Sequence, residues 1–403
     1  MSCRHIGQLI LLVALLVLPR PTLSQAITGT KSETIKVEVI RNLIVMPGYV
    51  NNSPRMDVVL DTGSSVSVLG PQWAAELKLE PATSSKSAGL GKGQDETAQI
   101  YRGVSLAWGI DKTVILDGQV IESLPIDYVS QQTGHQVSAF FGSSLFQNFR
   151  VRVNYEESEV TFTSGDKPVI SGTAIPIELY GDAPFVEAVL ETASGEKVPA
   201  RFLLDSGTTG DLILNKNFLN EHPSIVTGHP WVPVPTVTAV GGAIAIKKLR
   251  ISGLDLGPFH LTGPVAAVPD EVLGVLGNHG IAGFIGAGIL SRFTIDWNYR
   301  ALTMTLTPNR LYGAPFEADC SGLRLVAEKP DWKTLRVEAV TPGGPAAVAG
   351  VQARDILQKV NGAAPPPLYE LEKLLAHPGS PVVITILRSG KQRTMTIHLR
   401  QLV

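Results

Sequence analysis

The sequence predicts a mainly β chain made of two homologous halves, followed by a small α+β domain. Three observations carry this prediction. Residues 58–65 read Val-Val-Leu-Asp-Thr-Gly-Ser-Ser, and residues 202–209 read Phe-Leu-Leu-Asp-Ser-Gly-Thr-Thr, which sets Asp61 and Asp205 144 residues apart. Ala139-Phe140-Phe141-Gly142 returns as Ala282-Gly283-Phe284-Ile285-Gly286, with Gly142 and Gly286 at the same spacing. A hairpin-like segment follows each block, over residues 151–162 with Asn154-Tyr155 at its bend and over 294–306 with Asn298-Tyr299 at its bend, again 144 apart. One block could arise by chance; three in the same order at one spacing mark a duplication of residues from about 35 to 308.

The remaining elements follow in chain order. Arg4 and His5 precede an apolar run over residues 9–18, then Pro19, Pro21 and Ser24-Gln25-Ala26. This predicts an export signal over residues 1–26, cut after Ala26. The run is shorter than the roughly 20 residues that span a bilayer, so no stable membrane span is expected, although an uncleaved anchor stays open. The halves are assigned to residues 27–170 and 171–310. Between the blocks lie short β-branched runs broken by Gly, Asn and Asp, such as Val114-Ile115-Leu116 before Asp117-Gly118 and Leu249 to Ile251 before Ser252-Gly253. One short helix is expected after Gly142 and another after Gly286.

After Pro308, Tyr312-Gly-Ala-Pro-Phe316 reads as a linker into a third domain over 311–403. There Gly322-Leu323-Arg324-Leu325 opens a strand, Thr341-Pro-Gly-Gly-Pro-Ala-Ala leads into a short helix, and Asp355 precedes Asn361-Gly362. A helix is expected over residues 368–376 and strands over 382–387 and 393–399.

Composition limits the function classes. With 34 basic and 36 acidic residues, a formal charge of -2, 44% hydrophobic and 17% charged residues, nothing favours nucleic acid as a partner. Cys3 would leave with the signal and Cys320 would stand alone, so no intramolecular disulfide is expected. The eight histidines are scattered without ligand spacing, so neither a metal nor another cofactor is expected.

A single Asp-Thr-Gly is most simply a turn. Two, each after three apolar residues and at equivalent places of a repeat, would meet at the junction of the halves. Carboxylates at hydrogen-bond distance share a proton, so one can deprotonate a water while the other protonates a carbonyl oxygen.

On these motifs the chain resembles the aspartic proteases of the pepsin and retropepsin group, and most of all a single-chain tandem of retropepsin-type units. The resemblance implies two β-barrel halves with an active site between them, and Asp61 and Asp205 as the catalytic pair. It implies that Thr62 and Ser206 cross-link the turns, that Gly63 and Gly207 let the backbones approach, and that Ser64 and Thr208 donate to the outer carboxylate oxygens. Flaps would come from the stretches holding Gly89, Gly91 and Gly93 in one half and Gly241 and Gly242 in the other. The flap tyrosine of pepsin-like enzymes has no match, which favours two-flap closure.

The last hundred residues resemble a bacterial PDZ domain. Such domains add an extended peptide to a sheet edge and often capture its terminal carboxylate on backbone amides, and Gly322, Leu323, Arg324 and Leu325 would form that loop, with Arg324 an unusual residue there. The expectation is an exported bacterial endopeptidase, periplasmic or extracellular, acting on peptide or protein substrates, with peptide C-termini as ligands of the PDZ-like domain. A catalytically silent peptide clamp, a self-processing PDZ adaptor and a PDZ-like packing module without ligand remain open.

Overall fold

The computed structural model describes residues 32–87, 96–109, 111–165, 171–239, 242–270 and 280–403. The expected signal over 1–26 lies outside them. In each half the apolar run before the Asp turn forms a buried strand, Met56–Leu60 and Lys197–Asp205. Each pairs in parallel with the strand of the later block, Ala139–Phe141 and Gly283–Gly286, so that Leu60 lies opposite Phe141 and Leu204 opposite Ile285. The last three apolar residues before each Asp turn, Val58 to Leu60 and Phe202 to Leu204, are buried without alternation, which is the pattern of a strand covered on both faces.

The glycine closing each block has a steric reason. A Cβ on Gly142 would lie 2.6 Å from the Ser64 carbonyl oxygen, and one on Gly286 would lie 2.3 Å from that of Gly210. Only a residue without a side chain lets the strand end pass so close to the Asp turn. The short helices expected beyond are Ser143–Asn148 and Ala287–Leu290.

The hairpins after them join the halves. Strands Arg150–Asn154 and Phe293–Asn298 pair antiparallel at the centre of a six-stranded sheet that takes three strands from each half. Arg152 lies opposite Asp296, its own equivalent in the repeat, so the local twofold axis passes through that pair. An ion pair of 2.5 Å between Arg150 and Asp296, both almost buried, ties the junction. Beneath the sheet Trp108 meets Phe141, Phe149 and Phe162 with ring centroids 6.3, 5.6 and 5.0 Å apart; such pairs add roughly 0.5–1.5 kcal/mol each beyond burial.

Three details differ from the sequence-based expectation. Asp117-Gly118 does not end a strand: Val114–Ser123 runs through it, with Gly118 at φ +71 and register shifts in the pairing with Glu96–Trp108. Helices Pro71–Glu76, Asp127–Thr133 and Lys216–Glu221 were not foreseen. The linker is pinned: the Arg292 guanidinium lies over the Phe316 ring and donates to the Leu311 and Pro315 carbonyls.

Beyond it, five strands in chain order form an antiparallel sheet with Leu323–Glu328 at one edge. Helix Leu368–Leu375 packs Leu368, Leu371 and Leu375 into this domain's own core with Leu325, Val337, Ile384 and Ile397. Cys320 is buried and free. Among the described residues no helix is long and apolar enough to cross a membrane.

Candidate active site

The two Asp turns meet across the junction of the halves and are stitched together by four hydrogen bonds in a reciprocal pattern. The Thr62 hydroxyl donates to the Leu204 carbonyl at 2.8 Å and accepts the Ser206 amide at 3.0 Å. The Ser206 hydroxyl donates to the Leu60 carbonyl at 2.9 Å and accepts the Thr62 amide at 3.0 Å. Thr62 and Ser206 are 0% and 6% exposed, so every one of these groups depends on its partner for satisfaction. The cross-link expected of this pair is therefore present as geometry.

Asp61 and Asp205 are thereby held face to face. The Gly63 amide donates to Asp61 Oδ1 at 2.8 Å and the Gly207 amide to Asp205 Oδ1 at 2.9 Å. A Cβ on Gly63 would lie 2.7 Å from Asp205 Cγ, and one on Gly207 would lie 2.5 Å from Asp61 Cγ. Each turn's glycine thus leaves room for the other turn's carboxylate.

The turns are not equivalent in their outer contacts. Thr208 Oγ1 donates to Asp205 Oδ2 at 2.8 Å, as expected. Ser64 does not support Asp61: its one hydroxyl proton goes to the Val66 carbonyl at 2.6 Å. Burial pushes both carboxyls above the ordinary aspartate value. For Asp61 the charge of Asp205 adds to that push, and a hydrogen bond between the two carboxyls raises it further. For Asp205 the Thr208 hydroxyl, the Gly207 amide and the bond from Asp61 oppose it. Both shifts favour a proton held by the pair, and the Thr208 hydroxyl favours the charged form of Asp205. Both side chains stay partly open to solvent, as a site that admits a substrate requires.

Two hairpins stand where the flaps were expected. In the first half Thr83–Ser87 pairs with Glu96–Trp108, Ser87 opposite Glu96; Gly89, Gly91 and Gly93 fall between, outside the described residues. In the second half Val232–Ala239 pairs with Gly242–Arg250, Ala239 opposite Gly242; Gly241 lies outside the described residues.

Sequence reasoning missed Tyr128. Burial pushes its hydroxyl up, and the charges of Asp61 and Asp205 add to the shift; its ring packs against the cluster that holds Val59 and Phe140, on the paired strands that lead into the Asp61 turn. It sits on Asp127–Thr133, a seven-residue helix with an acidic first residue and Gly134 at φ +68 as its cap. Those end signals are legible in the sequence, but the helix is too short to show a period.

At the start of the loop expected to offer amides to a peptide carboxylate, three successive amides are occupied within the chain. The Ser321 and Gly322 amides donate to the Asp319 carboxylate at 3.0 and 2.7 Å, and the Leu323 amide donates to the Ser321 hydroxyl at 2.9 Å. Arg324 pairs with Glu338, and Leu325 is buried in the domain core. The sequence pattern located the loop but not the internal acid that fills it.

The aspartyl protease family model matches residues 46–145, which hold the first Asp turn, and the PDZ domain model matches residues 336–388. No curated protein matches the chain. Among solved structures the chain is similar to an aspartic proteinase from Irpex lacteus, at 14% identity over 71% of this chain and 100% of that one, with a TM-score of 0.42. It is also similar to a retropepsin-like aspartic protease from Rickettsia conorii, at 16% identity over 34% of this chain and 94% of that one, with a TM-score of 0.24. A third likeness is to the HtrA3 PDZ domain bound to a phage-derived ligand, at 23% identity over 21% of this chain and 86% of that one, with a TM-score of 0.19. Two segments of the chain thus match family models, one of aspartyl proteases and one of PDZ domains.

Proposed function

We propose that the chain is an aspartic endopeptidase that hydrolyses peptide bonds with a water activated between Asp61 and Asp205. The reading is carried by one observation: two Asp turns, cross-linked through Thr62 and Ser206, bring their carboxyls together at the junction of the halves, where burial raises both above the ordinary aspartate value. Asp205, ionised and hydrogen-bonded, takes a proton from the water as its oxygen attacks the scissile carbonyl. Asp61 gives its proton to the carbonyl oxygen. The resulting diol collapses as the amine leaves with a proton returned through the pair, so neither a metal nor a covalent intermediate enters. Peptides and proteins are the substrate class, and export from a bacterial cell, to the periplasm or outside, is part of this proposal on the strength of residues 1–26.

The test is cleavage of a peptide library by the purified chain, with and without pepstatin, beside Asp61→Asn and Asp205→Asn. Each substitution alone should remove nearly all turnover, because groups that act as a unit are strongly non-additive. Substantial cleavage by either variant overturns the pairing, and a silent clamp would bind peptides and cut none.

A further inference from the structure

The groove between the edge strand Leu323–Glu328 and helix Leu368–Leu375, where a PDZ domain takes a peptide, is filled from both ends by this chain. At the loop end Asp319 holds two of the amides and Ser321 a third, so a ligand's terminal carboxylate finds no free donor on residues 321–323 and faces a like charge. At the far end lies helix Asp127–Thr133 of the first half, packed against both the edge strand and helix Leu368–Leu375.

The fit of that helix is specific. A Cβ on its capping Gly134 would lie 2.9 Å from Leu368 Cβ, so the cap is wedged against the first turn of the PDZ helix. Asp127, its first residue, pairs with Lys329 at 2.6 Å. Arg41 joins three elements: it donates to the Gln132 carbonyl at 2.7 Å near the helix end and pairs with Glu372 of the PDZ helix at 2.7 Å. Tyr369 leaves its own domain's core and packs into the first half's cluster of Ile40, Val129, Val137 and Phe140. That cluster also receives Tyr128, and it includes Val59, two residues before Asp61 on the strand that delivers it.

We propose that the peptide groove of the PDZ domain is an internal dock for helix Asp127–Thr133, and that the domain serves the protease half as a clasp and not as a receptor for peptide C-termini. The docked helix packs Tyr128 and Val129 into the cluster that holds Val59 and Phe140 behind the Asp61 turn, so the organised Asp pair depends on the clasp. An extended peptide can gain the edge strand only by displacing the helix, and doing so loosens the site. This differs from recruitment through a second site, which would leave the cleft untouched.

The experiment uses the full chain, Tyr369→Asp, which puts a charge between the domains, and Glu372→Ala, which removes the ion pair with Arg41. Hydrogen exchange is followed in residues 127–134 and in the PDZ strands. A short fluorogenic peptide reports turnover, and a pool of heptapeptides is offered as free acids and as C-terminal amides. The helix should exchange about tenfold faster in the variants while the PDZ strands keep their protection, as local opening requires. Turnover should fall about tenfold, in kcat more than in KM, because a misplaced site loses orientation. The unaltered chain should bind free acids no better than amides. Unchanged helix exchange in both variants overturns the dock. Tight binding of free acids over amides by the unaltered chain overturns the reading of the loop. If Tyr369→Asp unfolds the domain, Glu372→Ala decides. Only the kinetic arm rests on the peptidase reading; a chain that cuts nothing defeats that reading, and exchange and binding still decide the dock.

Discussion

Thr208→Ala should move one limb of the pH profile and leave the other in place. The hydroxyl donates to Asp205 Oδ2 at 2.8 Å and stabilises the charged carboxylate. Hydrogen bonds to charged groups contribute about 1.5–3 kcal/mol; the low end applies here because Asp205 is partly open to water. At 1.36 kcal/mol per pH unit, the loss is worth about one unit. The first proton to leave the pair puts the charge on Asp205, so this step loses the support of Thr208 and its midpoint rises. The second proton leaves Asp61 while Asp205 is charged before and after, so the hydroxyl contributes to both states and cancels. The acid limb of kcat/KM should therefore shift up by about one unit with the alkaline limb nearly fixed. Ser64→Ala is the control: its hydroxyl is bound to Val66, so neither limb should move. The assay is cleavage of one fluorogenic peptide across the acid range at constant ionic strength. A shift confined to the alkaline limb, or a Ser64→Ala shift as large as that of Thr208→Ala, would refute the placement of the proton on Asp61.

Three further outcomes are expected. Gly207→Ala puts a Cβ 2.5 Å from Asp61 Cγ, so that carboxyl must move by about 1 Å, and kcat should fall by about a hundredfold in a chain that still folds by circular dichroism. Thr62→Val leaves the Leu204 carbonyl and the Ser206 amide without their partners in a buried place, and denaturant titration should show a loss of roughly 2–4 kcal/mol. Because Asp61 has a folded pKa raised above its unfolded one, its favourable contribution is full below the ordinary aspartate value of about 3.9 and is lost as pH rises through the folded value. Asp61→Asn should thus melt higher than the unaltered chain near neutral pH, with the gain shrinking toward acid pH; a constant difference would mean the raised pKa is not the cause.

The Asp pair was legible because duplication repeats its signal: the same apolar strand, turn and glycine occur twice at one spacing, and close backbone approach forbids any other residue at Gly142 and Gly286. What the sequence hid depends on contacts distant along the chain. Nothing local to Ser64 says that its hydroxyl faces Val66. Residues 127–133 span only two turns of helix, and some of their partners lie in a domain about two hundred residues later. Asp319 carried no signal in the sequence, since its role as acceptor for the Ser321 and Gly322 amides appears only once the loop closes on it.

The inequality of the two aspartates has a local origin in an otherwise symmetric frame. In the second half the Gly210 carbonyl accepts the Gly288 amide at 3.0 Å and the Asp211 carbonyl accepts the Gly286 amide at 2.8 Å. With the Gly210 carbonyl already engaged, the Thr208 hydroxyl turns to the carboxylate. In the first half the residue matching Asp211 is Ser67, and the Gly142 amide is taken by its side-chain hydroxyl at 3.0 Å. The Val66 carbonyl, which matches Gly210, accepts the Ser64 hydroxyl, and Asp61 loses the support its counterpart enjoys. A duplicated fold thus acquires two unequal carboxyls without any change in the aspartates themselves. The difference lies in which carbonyl beside each turn is engaged by a backbone amide, and on the proposed mechanism this difference sets which aspartate serves as the base.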